Sequence, residues 1–259
     1  MTQRHGWWTA SGFRRPLCAV LALNVVAVTP ALTGCSTAAV GHPLFLKGQQ
    51  HKSLVPAALP VPKPASPERI VIIGDSLSTG FGTSPEEAWP WLLGEDLRSA
   101  QVSVEVTNAA RNGAGYVTPG DDDSTFQSQI SASVNASTDM VVLFGSDNDA
   151  GQDPSELHAA LTDALLEIKS EAPHAKRVVI GPLTAFDALE TDVDAIRDEE
   201  RAVASDAGIK FVDPVAEHWV PEPDSALLGP DGEHPSIEGQ KFLEGKIKAL
   251  VTAPRNSGL

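Results

Sequence analysis

Cysteine is nearly absent from this 259-residue chain: the two present, Cys18 and Cys35, both fall within its first 35 residues. From residue 36 onward there is no thiol, so disulfides and cysteine-based metal sites are excluded and stability must come from an apolar core. A hydrophobic content of 42% is enough to build one. Positive charge is also scarce, with 19 Lys and Arg against 34 Asp and Glu for a net −15. Such a surface repels nucleic acid and anionic headgroups, which removes both as expected partners. His42, His51, His158, His174 and His218 share no ligand spacing with one another or with a carboxylate pair, so no metal is expected, and nothing implies a cofactor. No internal repeat is apparent. The longest apolar stretch, Pro16 to Leu32, is interrupted by Asn24 and Pro30, which argues against a membrane span.

What that stretch does offer is a leader. Arg4, Arg14 and Arg15 precede it, as in a secretory signal. It ends in Leu32-Thr33-Gly34-Cys35, which resembles the bacterial lipobox, in which a lipidated cysteine becomes the new N-terminus. Cleavage before Cys35 would also remove three arginines and take the net charge from −15 to −18. Arg14-Arg15 faintly suggests twin-arginine export, although Pro16 follows. Residues 36–68 carry Pro43, Pro56, Pro60, Pro62, Pro64 and Pro67 without a sustained apolar period and read as an extended tether. The expected organisation is a signal peptide over 1–35, a tether over 36–68, a folded domain over 69–252 and a tail over 253–259.

Within the domain, strands and helices alternate. Ile70 to Ile73 and Met140 to Phe144 are continuous apolar runs, as in strands buried on both faces of a parallel sheet. Further strands are expected over Val102–Thr107, Arg177–Ile180 and Ile209–Val212. Leu157, Leu161, Leu165 and Ile168 give Pro154–Glu171 helical spacing, and helices are also expected over Asp192–Ala207 and Ser236–Val251. Ser84-Pro85-Glu86-Glu87 has the signature of a helix start, predicting a helix from about Pro85 to Ala100. The fold class is therefore α/β: a three-layer α/β/α sandwich around a five-stranded, mostly parallel sheet. Acidic runs such as Asp121-Asp122-Asp123 and Asp198-Glu199-Glu200 read as solvated faces.

The chemistry starts at Gly74-Asp75-Ser76-Leu77, where the first strand ends on a turn at the sheet edge that open α/β folds use for ligands. A serine hydroxyl becomes a useful nucleophile when a neutral imidazole takes its proton and a carboxylate fixes that imidazole's tautomer. Asp231-Gly232-Glu233-His234-Pro235 offers both, because an aspartate three residues before His234 can reach back to Nδ1. Acyl transfer also needs donors for the oxyanion. Asn112-Gly113 after the second strand and Asn148 after the third are candidates, with Gly115 an alternative to Gly113. His218 beside Trp219 is a candidate pocket residue, and Trp89 and Trp91 are read as either core or groove.

Together these residues resemble the SGNH, or GDSL, family of serine hydrolases, a flavodoxin-like fold, over about Arg69 to Val251. The blocks run Gly74-Asp75-Ser76-Leu77, then Gly113, then Asn148-Asp149, then Asp231-x-x-His234-Pro235. Gly145 and Asn148 are three apart where the family usually has two. The resemblance implies Ser76 as nucleophile, His234 as base and Asp231 as its orienter, with the Ser76 and Gly113 backbone amides and the Asn148 side chain receiving the oxyanion. It implies an ester hydrolase; with the leader, the expectation is a lipid-anchored, extracytoplasmic esterase, linked through Cys35 to the membrane, whose substrate is an acyl ester of a cell-envelope glycan or lipid. An envelope O-acyltransferase using the same residues, or a non-catalytic envelope-binding lipoprotein, are the alternatives.

Overall fold

β-Branched and apolar residues that leave no polar face can be satisfied only in the middle of a sheet covered on both sides. The computed structural model, which describes residues 66–183, 191–219 and 225–253, has such a sheet. Its strands are β1 (Glu68–Gly74), β2 (Val104–Asn108), β3 (Met140–Phe144), β4 (Lys176–Ile180) and β5 (Lys210–Val212), all parallel, in the order β2-β1-β3-β4-β5. Helices α1 (Ser76–Thr79), α2 (Trp89–Ser99), α3 (Phe126–Ser133), α4 (Pro154–Glu171), α5 (Thr191–Asp206) and α6 (Ile237–Val251) connect and flank them. The leader, Cys35, most of the tether and residues 254–259 of the tail lie outside the described residues.

Side chains alternate across each strand, so the sheet feeds two cores. Val71, Ile73, Val141, Leu143 and Val179 face α3, α4 and α5. Ile70, Ile72, Val142, Phe144 and Ile180 face α2 and α6. Each fully buried Ile, Leu or Phe in these layers contributes about 1.5–3 kcal/mol relative to exposure. The direction of winding reverses at β1, which has β2 on one side and β3 on the other. Chain segments leaving β1 and β3 therefore diverge and open a crevice at their carboxyl ends, and Ser76 stands directly after β1.

One expected helix starts later than the sequence suggested. Ser84 to Ala88 form successive turns, with Glu87 N donating to Ser84 O and Ala88 N to Pro85 O, and α2 begins at Trp89. Pro90 explains the shift. In a helix running from Pro85 it would be an interior residue without an N–H, clashing with the carbonyl of Glu86; starting at Trp89 puts it in the first turn, where prolines are tolerated. α3 was not anticipated. Only Phe126 and Ile130 of its eight residues are large and apolar, and a capping box between Thr125 and Ser128 starts it.

Two buried glutamines tie the edge of the sheet to the helices. Gln129 of α3 accepts from Gly74 N and donates to Gly74 O, both at 2.9 Å, and so occupies the backbone groups of the last β1 residue. Gln240 of α6 accepts from Trp89 N at 2.8 Å and donates to Leu77 O at 3.4 Å, linking α6, α2 and α1. The turn that carries Ser76 is thereby held from both faces of the sheet.

Candidate active site

Gly74 is the residue on which the sharp turn depends. A Cβ there would lie 2.8 Å from Phe144 O and 2.9 Å from Ser78 Oγ, distances no side chain tolerates. Asp75 then caps α1, its Oδ1 accepting from Leu77 N at 2.9 Å, and Gly80 ends the short helix in the left-handed conformation. Ser76 is left at the first helical position, 8% exposed.

The loop before α6 delivers the other two groups. Asp231 Oδ1 accepts from both Glu233 N and His234 N at 3.0 Å, folding 231–234 into a compact turn. Its Oδ2 lies 2.9 Å from His234 Nδ1, and His234 Nε2 lies 3.0 Å from Ser76 Oγ. With Nδ1–H donating to the carboxylate, Nε2 is the lone-pair nitrogen that accepts the Ser76 hydroxyl. The Glu233 N–H, followed by those donated from His234, holds the Asp231 carboxyl below its ordinary range, so it is charged where the imidazole needs it. The Phe81 ring lies against the imidazole, centroids 4.5 Å apart, and adds a wall that the sequence did not suggest.

On the other side of Ser76, Gly113 has φ +71°, in the left-handed region suited to glycine, within a turn closed by Ala114 N donating to Arg111 O. The preceding Asn112 accepts from Thr79 Oγ1 at 2.6 Å, which fastens this loop to α1. Among the described residues neither the Ser76 nor the Gly113 amide donates a hydrogen bond within the protein. Gly115 differs: its N–H donates to Thr118 O at 2.8 Å. Asn148 Nδ2 donates to Ala114 O at 3.0 Å and to Asp75 Oδ2 at 3.1 Å, so both of its amide hydrogens have acceptors.

Asp75 is thus more than a turn former. Its Oδ2 also accepts from Ser146 Oγ at 2.8 Å, and the residue is fully buried. Burial raises its carboxyl from 3.8 to about 6, against the lowering effect of the Leu77 and Ser146 hydrogen bonds. A carboxyl that holds its proton longer in the native state than in the unfolded chain loses stability as pH rises from its ordinary value to its native one, by roughly 3 kcal/mol here. The stability difference between the native protein and Asp75→Asn should therefore shift by about that amount in the variant's favour between roughly pH 4 and pH 6.5. Urea titrations across the window check this; a constant difference would contradict it.

Other expectations are corrected or resolved. Glu200, expected on a solvated face, is 1% exposed, because it falls on the inward stripe of α5 with Val193, Ile196 and Val203. His218 is exposed and its neighbour Trp219 is buried, lining an apolar recess of about 20 Å³ with Leu77, Leu183, Leu228, Pro235 and Phe242. Trp89 is core, donating from Nε1 to Ser78 Oγ, whereas Trp91 is exposed.

Comparison with known proteins bears on the same region. Residues 72–242, from β1 into α6 and including Ser76, Gly113, Asn148, Asp231 and His234, match the GDSL-like lipase/acylhydrolase family. A GDSL lipase of Mycobacterium tuberculosis is 34% identical over 189 residues, covering 71% of this chain and 81% of that protein. The esterase EstA from Pseudoalteromonas sp. shares the fold at a TM-score of 0.57 and 17% identity, covering 71% of this chain and 96% of its own. A lipase/acylhydrolase from Enterococcus faecalis does so at 0.56 and 22%, covering 71% and 95%. A serine aligned on a histidine and an aspartate at the crevice of this fold, within a family match that spans the whole sheet, leads to one assignment: the chain belongs to the GDSL-like lipase/acylhydrolase family and is an ester hydrolase of the GDSL type.

Proposed function

We propose that the protein is a serine esterase of the bacterial cell envelope, lipid-anchored through Cys35, that hydrolyses short acyl esters by way of an acyl-enzyme. The observation that carries this reading is the continuous chain Ser76 Oγ, His234 Nε2, His234 Nδ1, Asp231 Oδ2, with links of 3.0 and 2.9 Å. As the Ser76 oxygen attacks an ester carbonyl, its proton passes to Nε2, and Asp231 stabilises the imidazolium. The carbonyl oxygen becomes an oxyanion received by the unspent amides of Ser76 and Gly113 and by the Asn148 amide. For Asn148 this requires an exchange: the oxyanion replaces Asp75 as acceptor for one hydrogen, while Asp75 keeps Leu77 N–H and the Ser146 hydroxyl. Nε2–H then protonates the departing alcohol, and a water deprotonated by the same nitrogen releases the acid.

Two features support the finer assignments. Leu77 and Pro235, next in sequence to Ser76 and His234, line the apolar recess of about 20 Å³, room for a methyl-sized group rather than a long chain. The arginines, the interrupted apolar stretch and Leu32-Thr33-Gly34-Cys35 support export and lipidation. Hydrolysis of p-nitrophenyl esters from acetate to laurate by the full-length protein tests the substrate class. Acetate and butyrate should be turned over at least about tenfold faster than laurate, since each additional methylene must stay in water or open the recess. A rate that rises with chain length would overturn the short-acyl assignment; ester turnover seen only with an added sugar alcohol would make the enzyme a transferase.

A further inference from the structure

Under the turn formed by residues 145–149 lies a second cavity, of about 10 Å³, whose lining includes Ala114, Tyr116, Gly145, Asn148, Asp149 and Glu200. It has the room of about one water molecule. Two polar side chains there are orphaned. The Tyr116 hydroxyl, on a residue 5% exposed, and Glu200 Oε2, on one 1% exposed, have no hydrogen-bond partner among the described residues. Buried polar groups in native proteins are almost always satisfied, by protein or by ordered water.

We propose that Glu200 is a positioning residue of this esterase: its carboxyl group and the Tyr116 hydroxyl hold one ordered water in the cavity, and that water supports the turn that presents Asn148. The proposal rests on the reading in which Asn148 receives the oxyanion. The mechanical link is short. The Asp149 carboxylate accepts from Tyr116 N at 2.7 Å, Val117 N at 3.1 Å and Thr118 N at 2.8 Å, and Asn148 donates to Ala114 O. The 114–118 and 145–149 segments are thereby one unit, with Tyr116 as its underside. Gly115 lets the two come together, since a Cβ there would lie 2.4 Å from the Asp149 carboxylate.

The charges around Glu200 define its working form. Facing it are Tyr116, Asp149 from the turn and Asp75 from the end of β1. Gly181, just after β4, and Phe211, within β5, bring no charge. On α5, Arg197 pairs with Asp194 and Asp198, and Arg201 with Asp198 and Asp213; from α4, His158 pairs with Glu199. No cation among the described residues pairs with Glu200. Burial, then Asp149 and Asp75, pushes its carboxyl well above the ordinary range, which favours the protonated form, whose O–H can donate to the water. Ionisation as pH rises would add a negative charge beside Asp149 and Asp75 and displace the turn.

The test compares full-length native protein with Glu200→Gln, Glu200→Leu and Tyr116→Phe, by kcat and KM for p-nitrophenyl acetate from about pH 5 to pH 9. Glu200→Gln, a neutral group able to hold the water at every pH, should keep kcat within about threefold of the native maximum and lose whatever fall the ionisation of Glu200 gives the native profile as pH rises. Glu200→Leu and Tyr116→Phe should lower kcat about tenfold with KM changed less than about threefold, as for an interaction realised in the transition state. A crystal structure of the native protein should contain a water within hydrogen-bond distance of both groups. A dry cavity, a Glu200→Gln profile that coincides with the native one, or unchanged kcat in Glu200→Leu would overturn the proposal. A folded native protein with no ester turnover and no fluorophosphonate label on Ser76 would instead sink the esterase reading, and this proposal with it.

Discussion

Ser76→Ala and His234→Ala each lower kcat/KM for ester hydrolysis by about 10⁴-fold or more, and the double variant is no worse than either single one. The non-additivity is the informative part. The two groups form one hydrogen-bonded unit with a 3.0 Å link, so removing the hydroxyl leaves the imidazole without a proton to take, and removing the imidazole leaves an unactivated alcohol. Both side chains sit on turns whose backbones are fixed by other groups. Asp75 and Gln240 hold the Ser76 turn, and Asp231 Oδ1 closes the His234 turn through two backbone amides. Both variants should therefore fold with urea midpoints close to the native value, which separates lost chemistry from lost structure. Activities that multiply rather than saturate would mean that the two residues act independently.

Asn148→Ala carries the second largest effect, a fall of about 10²–10³-fold in kcat with KM nearly unchanged. An oxyanion donor acts on charge that exists only in the transition state, so its loss leaves ground-state binding intact. The variant also strips Asp75 Oδ2 of one of its two side-chain donors and Ala114 O of its partner. A carboxyl deprived of a donor to its charged form titrates higher, so the Asp75 transition in stability should move upward from about 6 in Asn148→Ala. Steady-state kinetics and pH-dependent urea titrations check the two halves. An effect confined to KM would remove Asn148 from the oxyanion site and leave it as a brace for the 114–118 segment.

How much of this was legible depended on how local the determinant is. Ile70–Ile73 and Met140–Phe144 announce buried parallel strands by themselves, and Leu157, Leu161, Leu165 and Ile168 announce α4, since each pattern is the burial pattern. The spacing of Asp231 and His234 was readable because the contact spans three residues. α2 was misplaced because a local start signal at Ser84 was overridden by Pro90, and α3 was missed because its buried polar residue, Gln129, acts on Gly74, 55 residues away. The bonds to Asp75 come from 71 and 73 residues away. Glu200 was hidden within an acidic run, although its place on the stripe of Val193, Ile196 and Val203 was a signal that its neighbours Asp198 and Glu199 do not share. Long-range polar contacts such as those of Gln129 and Asp75 leave no period in the sequence.

The central claim is that one serine, activated by one histidine, forms the acyl-enzyme. Intact-mass and peptide mass spectrometry of the full-length protein after reaction with a fluorophosphonate tests it most directly. One adduct per chain, on Ser76, with His234→Ala reacting at least about 10²-fold more slowly and Ser76→Ala not at all, is the predicted result. A folded protein that takes no adduct, or takes it on another residue, would contradict the account.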